Sequence, residues 1–434
     1  MIFHLYNILL TLLLVIVSPY FLLRGLFNKR FREELIQRLG FFPGLPFRRP
    51  IWVHAASVGE VFCAIPLLQR MKREFPSCHI VVTTITRTGH ERAKTVPEAD
   101  RVLFFPIDHP LVIRNALRRI DPGLLTIAET EIWPNLLRSC GRRGRPVLLF
   151  NGRISEKSFR RYMALRFFFR ECLKQITRFL MQTEGDRIRI VRMGAPSDRT
   201  RVTGNIKFDQ STPALKPEAV AEFAKLIGYR EEEKIIVAGS THPGEEEILL
   251  RCFKDLRKVE PHLLLILAPR HLHRIEEVER ILQKESISWK RKTSIGVTGE
   301  DRPEVILLDT MGELMSFYGM GALCFIGGSL VPVGGHNPIE PLIFRKCVLF
   351  GPHMFHFAEI SRDLLEAGGA IQVSGPDDLA LQLRRLLSEE GKRDEVGENG
   401  YQFLQRHRGA AERMFEEIKP FLANIADSRW QMAN

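Results

Sequence analysis

The chain has 434 residues, of which 45% are hydrophobic and 26% are charged. This length exceeds what one ordinary core holds, so we expect two globular domains, and the composition excludes a disordered protein. The net charge of +12 predicts an anionic partner, such as nucleic acid, an anionic membrane surface or a phosphorylated substrate.

An apolar segment opens the sequence. The first 23 residues contain no Asp, Glu, Lys or Arg, and residues 5–23 form an apolar run close to the lower limit of about 17–25 residues that cross a bilayer. Basic residues follow it at four positions: Arg24, Lys29, Arg30 and Arg32. By the positive-inside rule, we expect a membrane anchor over residues 1–28, with the remainder on the cytoplasmic side. Since Pro19 interrupts the run, a helix lying in one leaflet is the alternative to a full span.

Strand-like apolar runs then alternate with amphipathic stretches, at a spacing that suits βαβ units. The runs in the first half are 51–55, 79–85, 101–106, 124–129, 146–151 and 179–183. Those in the second half are 234–240, 263–269, 304–309, 322–328, 346–351 and 370–373. A polar stretch with two prolines at 209–219 predicts a linker. The pattern therefore predicts an α/β protein with two Rossmann-like domains, 29–212 and 213–434, that face a cleft.

In such sheets ligands bind outside the carboxyl ends of the strands, so the loop after each strand is a candidate site. The loop after the first strand contains Ser57 and Glu60 at the S-x-x-E spacing of a capping box. Gly59 allows the backbone to approach a ligand closely, and a carboxylate in the first helical turn is favoured in its ionised form. Glu60 is therefore either a helix cap or a base that accepts a proton from a hydroxyl group.

Further charged residues follow later strands. Glu129 and Glu131 lie two residues apart, so in an extended chain one faces the cleft while the other caps the helix that begins near Trp133. Lys207, just before the linker, either binds phosphate as a point charge or is a solvated surface lysine. Residues 239–247 are typical of an anion-binding helix N-terminus, with simple capping as the alternative.

The second half contains its own candidate site. Arg270 ends a strand, where an arginine suits bidentate phosphate recognition. Residues 325–341 contain two glycine pairs and then Asn337 and Glu340, and the Glu340 carboxylate suits a ribose diol. No GxGxxG follows a strand and no D-x-D occurs, so a dinucleotide dehydrogenase and a metal-held leaving group are disfavoured. The seven cysteines form no CxxC, which predicts free thiols in a reducing compartment.

A basic and aromatic stretch covers residues 158–180. It predicts either a helix whose arginines snorkel beside apolar rings at a membrane, or a domain helix with a solvated basic face. In the first case it would form one positive surface near anionic lipid, together with the basic residues that follow the apolar segment.

Ten short motifs, in order along nearly the whole chain, resemble those of one family. They are HAASVGE, TTITRTGHERA, ETEIWPNL, NGRIS, GNIKFD, GSTHPGEE, APRH, DTMGEL, GGSLVPVGGHNPIEP and FGPHMFHF. The sequence thus resembles the bacterial 3-deoxy-D-manno-octulosonic acid (Kdo) transferases, which are lipid A-specific glycosyltransferases of lipopolysaccharide synthesis. The resemblance implies a GT-B fold, with an acceptor-binding domain over 29–212 and a donor-binding domain, including the C-terminal helices, over 213–434. It also implies CMP-Kdo as donor, the tetraacylated lipid A precursor (lipid IVA) as acceptor, and inverting transfer without a metal.

The resemblance assigns roles to the matching residues. Glu60 would be the general base, and Glu129 and Lys207 would stabilise the transition state. The residues expected to hold CMP are Pro269 and Arg270; Met311, Gly312 and Glu313; and Asn337, Pro338, Ile339 and Glu340. The resemblance implies no cofactor and no nucleic-acid partner, and a location on the cytoplasmic face of the inner membrane.

Two other functions fit parts of the sequence. A soluble nucleotide-sugar epimerase of the same fold would need no anchor, so the apolar segment argues against it. A non-enzymatic protein that binds acidic lipid would have no need of polar, glycine-rich loops at its strand ends. A membrane-associated glycosyltransferase is therefore the predicted function.

Overall fold

The computed structural model of the protein describes residues 2–209, 223–225, 227, 229, 233–295 and 303–433, with only the backbone described for 427–433. The chain divides into two compact units. Unit 1 comprises residues 1–210 and 407–434, and unit 2 comprises residues 211–406. The predicted linker from residue 210 onward, and the predicted boundary between residues 212 and 213, lie outside the described residues.

Unit 1 is built on a sheet of seven parallel strands in the order β3-β2-β1-β4-β5-β6-β7. The strands are β1 (Ile51–His54), β2 (Ile80–Thr84), β3 (Arg101–Phe104), β4 (Leu124–Ala128), β5 (Val147–Gly152), β6 (Arg178–Met181) and β7 (Thr200–Val202). The helices before unit 2 are α1 (Ile2–Phe27), α2 (Lys29–Arg38), α3 (Val58–Glu74), α4 (Arg87–Lys94), α5 (Pro110–Ile120), α6 (Pro134–Arg142), α7 (Glu156–Ala164), α8 (Arg166–Leu173) and α9 (Glu184–Met193). A 3₁₀ turn, Ile206–Asp209, follows β7.

Unit 2 repeats this plan, with seven parallel strands in the order β10-β11-β9-β8-β12-β13-β14. The strands are β8 (Ile235–Thr241), β9 (Leu264–Pro269), β10 (Trp289–Arg291), β11 (Val305–Leu307), β12 (Leu323–Ile326), β13 (Cys347–Phe350) and β14 (Ile371–Gln372). The helices are α10 (Glu245–Arg257), α11 (Ile275–Lys284), α12 (Leu314–Met320), α13 (Ala358–Glu366), α14 (Pro376–Ser388) and α15 (Glu390–His407). A last helix, α16 (Ala410–Ala433), follows.

The central strands are buried on both faces, which explains why they appear in the sequence as continuous apolar runs. In β1, Trp52 belongs to the core layer on one face of the sheet, whereas Ile51 and Val53 belong to the layer on the other face. Every residue of β1 and β4 is buried. Such strands need helices over both faces, and the helices between successive strands provide them.

All the predicted strands are present, and the described part of the chain contains two further strands that were not predicted. β7 and β10 have three residues each and lie at the edges of their sheets. Arg201 and Val202 of β7 are exposed, and all of β10 is only half-buried. Such short, partly polar segments carry no apolar run, because an edge strand is covered on fewer sides.

The predicted grouping of the C-terminal helices with the donor domain is wrong for α16, which belongs to unit 1. This helix packs against α3, and six of its described apolar side chains are buried: Ala410, Met414, Phe415, Ile418, Leu422 and Ile425. The Asp209 carboxylate accepts hydrogen bonds from the backbone N–H groups of Gly409 (2.6 Å) and Ala411 (2.5 Å) at the start of the helix. The sequence shows an amphipathic helix here but not which unit its apolar face covers.

The placement of α16 predicts a selective loss of stability. Phe415 is fully buried and its ring lies beneath the Arg70 guanidinium at 4.2 Å. Phe415→Ala should cost about 3–5 kcal/mol, the usual range for a buried Phe truncation. Hydrogen exchange should accelerate in β1 and α3 but not in β8. The neighbour Glu416 is exposed and gives the control, since Glu416→Ala should change neither the stability nor the hydrogen exchange. Faster exchange confined to β8 in Phe415→Ala would contradict the placement of α16.

Candidate active site

Each sheet has a switch point where successive strands begin to be added on the other side, between β1 and β4 in unit 1 and between β8 and β12 in unit 2. In doubly wound sheets, this is where a crevice opens beyond the carboxyl ends of the strands. Glu60 and Glu129 follow β1 and β4, and the loops that follow β8 and β12 carry His242 and His336. The topology therefore places the predicted residues Glu60 and Glu129, together with His242 and His336, at the expected edge of each sheet.

Glu60 lies in the first turn of α3, with Ser57 as the N-cap residue. The backbone N–H of Ala56 donates to Glu60 Oε2 (2.8 Å), and the Ser57 hydroxyl donates to Glu60 Oε1 (3.0 Å). The carboxylate thus completes a capping arrangement, shifted by one residue from the usual box. Burial raises the pKa of Glu60 to about 7, and the charges of Glu129 and Glu131 act in the same direction, against the bond from Ala56. A carboxylate with this pKa is suited to act as a base near neutral pH.

The loop that carries Glu60 is fixed by the neighbouring loop after β2. The Ala56 carbonyl accepts hydrogen bonds from the backbone N–H groups of Ile85 (2.9 Å) and Thr86 (3.0 Å). Gly89 allows this approach, since a Cβ there would lie 2.8 Å from the Thr86 hydroxyl and 3.2 Å from the Ser57 carbonyl carbon. A larger residue at position 89 would push the two loops apart.

Glu129 and Glu131 occupy different surroundings after β4. Glu129 has a left-handed backbone (φ +52°), and its carboxylate lies 3.5 Å from the Arg153 guanidinium. Glu131 Oε2 lies 4.0 Å from Nε2 of the buried His54. Burial raises the pKa of Glu131, and the charge of Glu129 raises it further. Burial also lowers the pKa of His54 to about 3, so its imidazole is neutral at neutral pH.

Neither of these glutamates caps α6, so the predicted capping role is wrong. The Asp108 carboxylate takes that role instead, because it accepts the backbone N–H groups of Asn135 and Leu136, each at 2.9 Å. Asp108 lies after β3 and is buried. No local spacing links it to α6, which explains why the sequence did not reveal it.

Lys207 lies in the 3₁₀ turn after β7, and two asparagines position its backbone. Asn151 Oδ1 accepts the N–H of Ile206, and Asn205 Oδ1 accepts the N–H of Lys207, both at 3.0 Å. Burial raises the pKa of the Cys63 thiol to about 12, and the charges of Lys207, Glu129, Glu60 and Arg153 all act on the same thiol. Glu60, Glu129 and Lys207 are therefore all close enough to the Cys63 thiol for their charges to affect its pKa.

In unit 2, the predicted residues Arg270, Asn337 and Glu340 also lie near one another. The Asn337 side-chain amide donates to Glu340 Oε1 (3.3 Å), and Asn337 Oδ1 accepts the backbone N–H of Ile339 (3.1 Å). Burial raises the pKa of Glu340, while the Asn337 bond and the charge of Arg270 oppose this. Pro338 and Ile339 are buried, so they shape the turn that presents Asn337 and Glu340.

The other predicted donor residues vary in their surroundings. Pro269 is the buried last residue of β9. Met311 is 68% exposed, and Gly312 has a φ of +84° that favours glycine. The Glu313 carboxylate accepts a hydrogen bond from Lys292 (2.9 Å) and pairs with Lys292 rather than with any described residue around Arg270. This segment follows β11, one strand beyond β9.

His242 and His336 lie in the predicted site loops, and they form a pair near Arg270 that the sequence did not predict. The Nε2 atoms of His242 and His336 lie 2.9 Å apart, so one ring donates a hydrogen bond to the other. Burial lowers the pKa of His336 to about 3, and the charge of Arg270 lowers it further. The pair is separated by 94 positions in the chain, so no local motif revealed it.

The predicted anion site at 239–247 is filled by the protein itself. The buried Glu245 carboxylate accepts backbone N–H groups from His242, Gly328, Ser329 and Leu330, at 2.6–3.0 Å. The N-cap residue Gly244 makes no side-chain cap, and the Glu245 carboxylate instead holds the glycine-rich turn after β12. Within the described ranges, no group of three or more His, Cys, Asp or Glu residues could hold a metal ion.

Two Rossmann-like units with candidate sites at their carboxyl edges define the GT-B class of fold. The structure of UDP-GlcNAc 2-epimerase from Neisseria meningitidis is similar (TM-score 0.56, 14% identity), covering 87% of this chain and 100% of that one. A glycosyltransferase structure from Rickettsia africae is also similar (TM-score 0.52, 12% identity), covering 87% of this chain and 99% of that one. At these identities the likeness concerns the fold alone.

The sequence comparisons are more specific. A family model described as 3-Deoxy-D-manno-octulosonic-acid transferase (kdotransferase) matches residues 33–210. The 3-deoxy-D-manno-octulosonic acid transferase of Haemophilus influenzae is 36% identical over 420 residues, which cover 95% of this chain and 98% of that protein. A transferase of the same description from Chlamydophila psittaci is 29% identical over 96% of each chain. The chain belongs to the Kdo transferase family and is a glycosyltransferase, which confirms the predicted family, fold class and enzyme class.

The raised pKa of Glu60 predicts a pH-dependent stability. Its carboxyl has a pKa of about 7 when folded, against the ordinary value of 4.5, so the folded state favours the protonated form. The stabilisation this gives is fully present below pH 4.5 and is lost as the pH rises through about 7. Between these values, the free energy of unfolding of the wild type should fall relative to that of Glu60→Gln.

Chemical denaturation of both proteins across this pH range would test the prediction. The exposed Glu91 provides the matched control, Glu91→Gln, for the change in charge. If the free energy of unfolding varies with pH in the same way for the wild type and for Glu60→Gln, the folded state does not raise the pKa of Glu60.

Proposed function

We propose that the protein transfers Kdo from CMP-Kdo to the lipid A precursor, lipid IVA, in lipopolysaccharide core synthesis, with inversion and without a metal. The observation that carries the proposal is the half-buried Glu60 carboxylate, with a pKa of about 7, beside the charges of Glu129 and Lys207. The names of the similar proteins, which are Kdo transferases, support the substrate class.

Glu60 is the proposed general base of unit 1. Its pKa of about 7 leaves a substantial fraction ionised at neutral pH, and the ionised form accepts the proton of the acceptor hydroxyl. The hydrogen bonds from Ala56 and Ser57 fix the direction of the carboxylate, so little reorganisation is needed when the hydroxyl arrives. The acceptor oxygen then attacks the anomeric carbon of Kdo, and the bond from that carbon to the CMP phosphate breaks. A single displacement of this kind inverts the anomeric centre.

Glu129 and Lys207 are proposed to stabilise the charges that develop in this step. The sugar carbon becomes oxocarbenium-like as CMP leaves, so a nearby carboxylate such as Glu129 stabilises the positive charge. Lys207 supplies the opposite charge for the carboxylate of Kdo or the departing phosphate. The backbone N–H of Glu129 donates to the Phe150 carbonyl, and that of Lys207 donates to Asn205 Oδ1. These hydrogen bonds fix the backbone positions of both residues.

In unit 2, Arg270, Asn337 and Glu340 are proposed to hold CMP. Arg270 is exposed and presents its guanidinium to phosphate oxygens, for which its fork geometry is suited. Glu340 accepts hydrogen bonds from the ribose diol, with Asn337 orienting its carboxylate. Pro269, Met311, Gly312, Glu313, Pro338 and Ile339 complete the proposed donor-binding segments.

A lipid acceptor requires access to a membrane. α1 is long and apolar enough to cross one, with a mean hydropathy of 2.1 over its most apolar window. We assign the protein to the cytoplasmic side of the inner membrane, where the net charge of +12 suits anionic lipid. The proposed reaction uses neither a cofactor nor a nucleic acid.

The mass of the lipid product tests this reaction directly. Detergent-solubilised protein, CMP-Kdo generated in situ and the tetraacylated precursor, without added metal, should give a mass gain of whole Kdo units. Glu60→Ala should lower the rate by about 10²–10⁴-fold, because it removes the base. Glu91→Ala should keep the wild-type rate.

The outcomes separate the alternatives. The number of Kdo units gained gives the number of transfers. Wild-type turnover by a folded Glu60→Ala protein would remove Glu60 from the mechanism. Release of CMP with no lipid product, in contrast, would favour the epimerase class that shares the fold.

Arg270 gives a separate test of the donor site. Arg270→Ala should raise the KM for CMP-Kdo about 10–100-fold, the range expected for loss of a hydrogen bond to a charged group. Arg270→Lys should recover part of the lost affinity for CMP-Kdo, because lysine restores the positive charge but not the planar, bidentate geometry of the guanidinium. Arg280 is exposed on α11, so Arg280→Ala is the matched control. An unchanged KM in Arg270→Ala would place the phosphate elsewhere.

A further inference from the structure

α1 is covered along one face only. Half-buried or buried side chains recur every three or four residues from its first turn to its last, which is the period of one helix face. They include Phe3, Leu10, Leu14, Val17 and Phe21, and the buried Gly25 lies at the next position of the same face. The other face exposes large apolar side chains, each more than half exposed, such as Leu5, Leu9, Leu12, Ile16, Leu23 and Leu26.

The amino end of α1 is attached to unit 1 by a group of four polar residues, which we call the latch. The Tyr6 hydroxyl donates to Asp108 Oδ2 (3.2 Å), and the Asn135 side-chain amide donates to Asn7 Oδ1 (2.8 Å). Asp108 and Asn135 are buried at the start of α6. Because the same Asp108 caps α6, the latch ties α1 to a rigid part of the unit.

Aromatic contacts reinforce the latch. The ring of the buried Phe168 in α8 lies 5.4 Å from the ring of Phe3 and 5.6 Å from that of Tyr6. The Arg138 guanidinium lies 4.5 Å from the centre of the Phe3 ring. The first turns of α1 therefore pack on α6 and α8.

The carboxyl end of α1 is attached to the same unit through α2. The Phe21 ring stacks on the buried Phe31 ring of α2 at 5.9 Å, and the Arg24 guanidinium lies 4.8 Å from that ring. Glu34 of α2 in turn pairs with Arg87 of α4 at 2.7 Å. Both ends of α1 are thus held on unit 1.

This arrangement is incompatible with a helix that crosses a bilayer. The 26 residues of α1 give it a length of about 39 Å, and the hydrocarbon core is about 30 Å thick. A spanning helix must place its two ends on opposite sides of that core, whereas both ends of α1 contact one unit. We propose that α1 lies in the plane of a single leaflet, docked on unit 1 by the latch, with its exposed apolar face in the lipid. This inference rests on the membrane location given under the proposed function, and it specifies how α1 is attached to that membrane.

The surroundings of α1 favour an anionic lipid surface as the occupant of that face. Leu165 and Phe167, at the corner between α7 and α8, are 50% and 61% exposed beside the Phe168 contact. Exposed basic residues flank the apolar surface at Arg24, Lys29, Arg30, Arg160, Arg161 and Arg166. Basic side chains beside an apolar face attract anionic headgroups, whereas a second copy of the chain would bring the same positive charge.

Cross-linking beside the latch in membranes tests the docked position. In the full chain, Thr11→Cys with His109→Cys leaves the latch intact, and the native Thr11 hydroxyl and His109 Nε2 lie 3.4 Å apart. The two thiols should be joined by a short bifunctional thiol reagent in inner-membrane vesicles, and the joined protein should keep its transfer activity. The seven native cysteines are buried, so the wild type gives the background. Leu13→Cys with His109→Cys is the matched control and should not be joined. Absence of the Thr11 cross-link in membrane-bound protein, or its formation only in detergent, would overturn the proposal.

Sidedness gives an independent readout. A membrane-impermeant thiol label should reach His4→Cys, Phe27→Cys and the unit 1 reference Glu91→Cys from the same face of the vesicles. Labelling of His4→Cys from the face opposite to Glu91→Cys would establish a spanning helix instead. Cross-linking of two copies through Ile16→Cys would make a second chain, not lipid, the occupant. Recovery of an active protein in the soluble fraction would overturn the membrane location while leaving the transfer reaction intact.

Discussion

The half-buried carboxylate of Glu60 is the constraint on which the carboxyl edge of unit 1 depends. A carboxylate removed from water loses hydration, and hydrogen bonds must replace it or the group stays protonated. Here two bonds, from Ala56 and Ser57, replace part of that hydration, and the pKa still settles near 7. The loop that donates these bonds is itself held by the backbone of Ile85 and Thr86. Capping and the proposed proton transfer are therefore compatible, because the same bonds that complete the cap also fix the direction of the Glu60 carboxylate.

Much of the fold could be predicted because parallel strands buried on both faces are continuous apolar runs. β1 and β4 illustrate this, since all of their residues are buried. β7 and β10 were not predicted. They lie at sheet edges and contain arginine, lysine or half-buried residues, so they form no continuous apolar run. The unit to which α16 belongs was also predicted wrongly, because an amphipathic pattern shows that a face is buried but not what covers it.

The candidate site shows the same division between local and distant information. Glu60 and Ser57 are three residues apart, so their contact could be predicted from a spacing. The contacts of Asp108 with α6 and of Glu245 with the turn after β12 join residues 27 and 83 or more positions apart. The pair of His242 and His336 is of this second kind. Such groups become neighbours only through the strand order, which brings the ends of non-consecutive strands together.

The final helix links the fold to the chemistry of unit 1. Its buried Met414 belongs to the same core layer as Val61, which follows Glu60, and Ile206, which precedes Lys207. Asp209, two residues after Lys207, caps the start of that helix. The proposed base and the proposed cation thus rest on one hydrophobic layer that is completed only when the chain returns from unit 2. Without α16, the first 210 residues would leave this hydrophobic layer uncovered, which gives a physical reason for the return of the chain to unit 1.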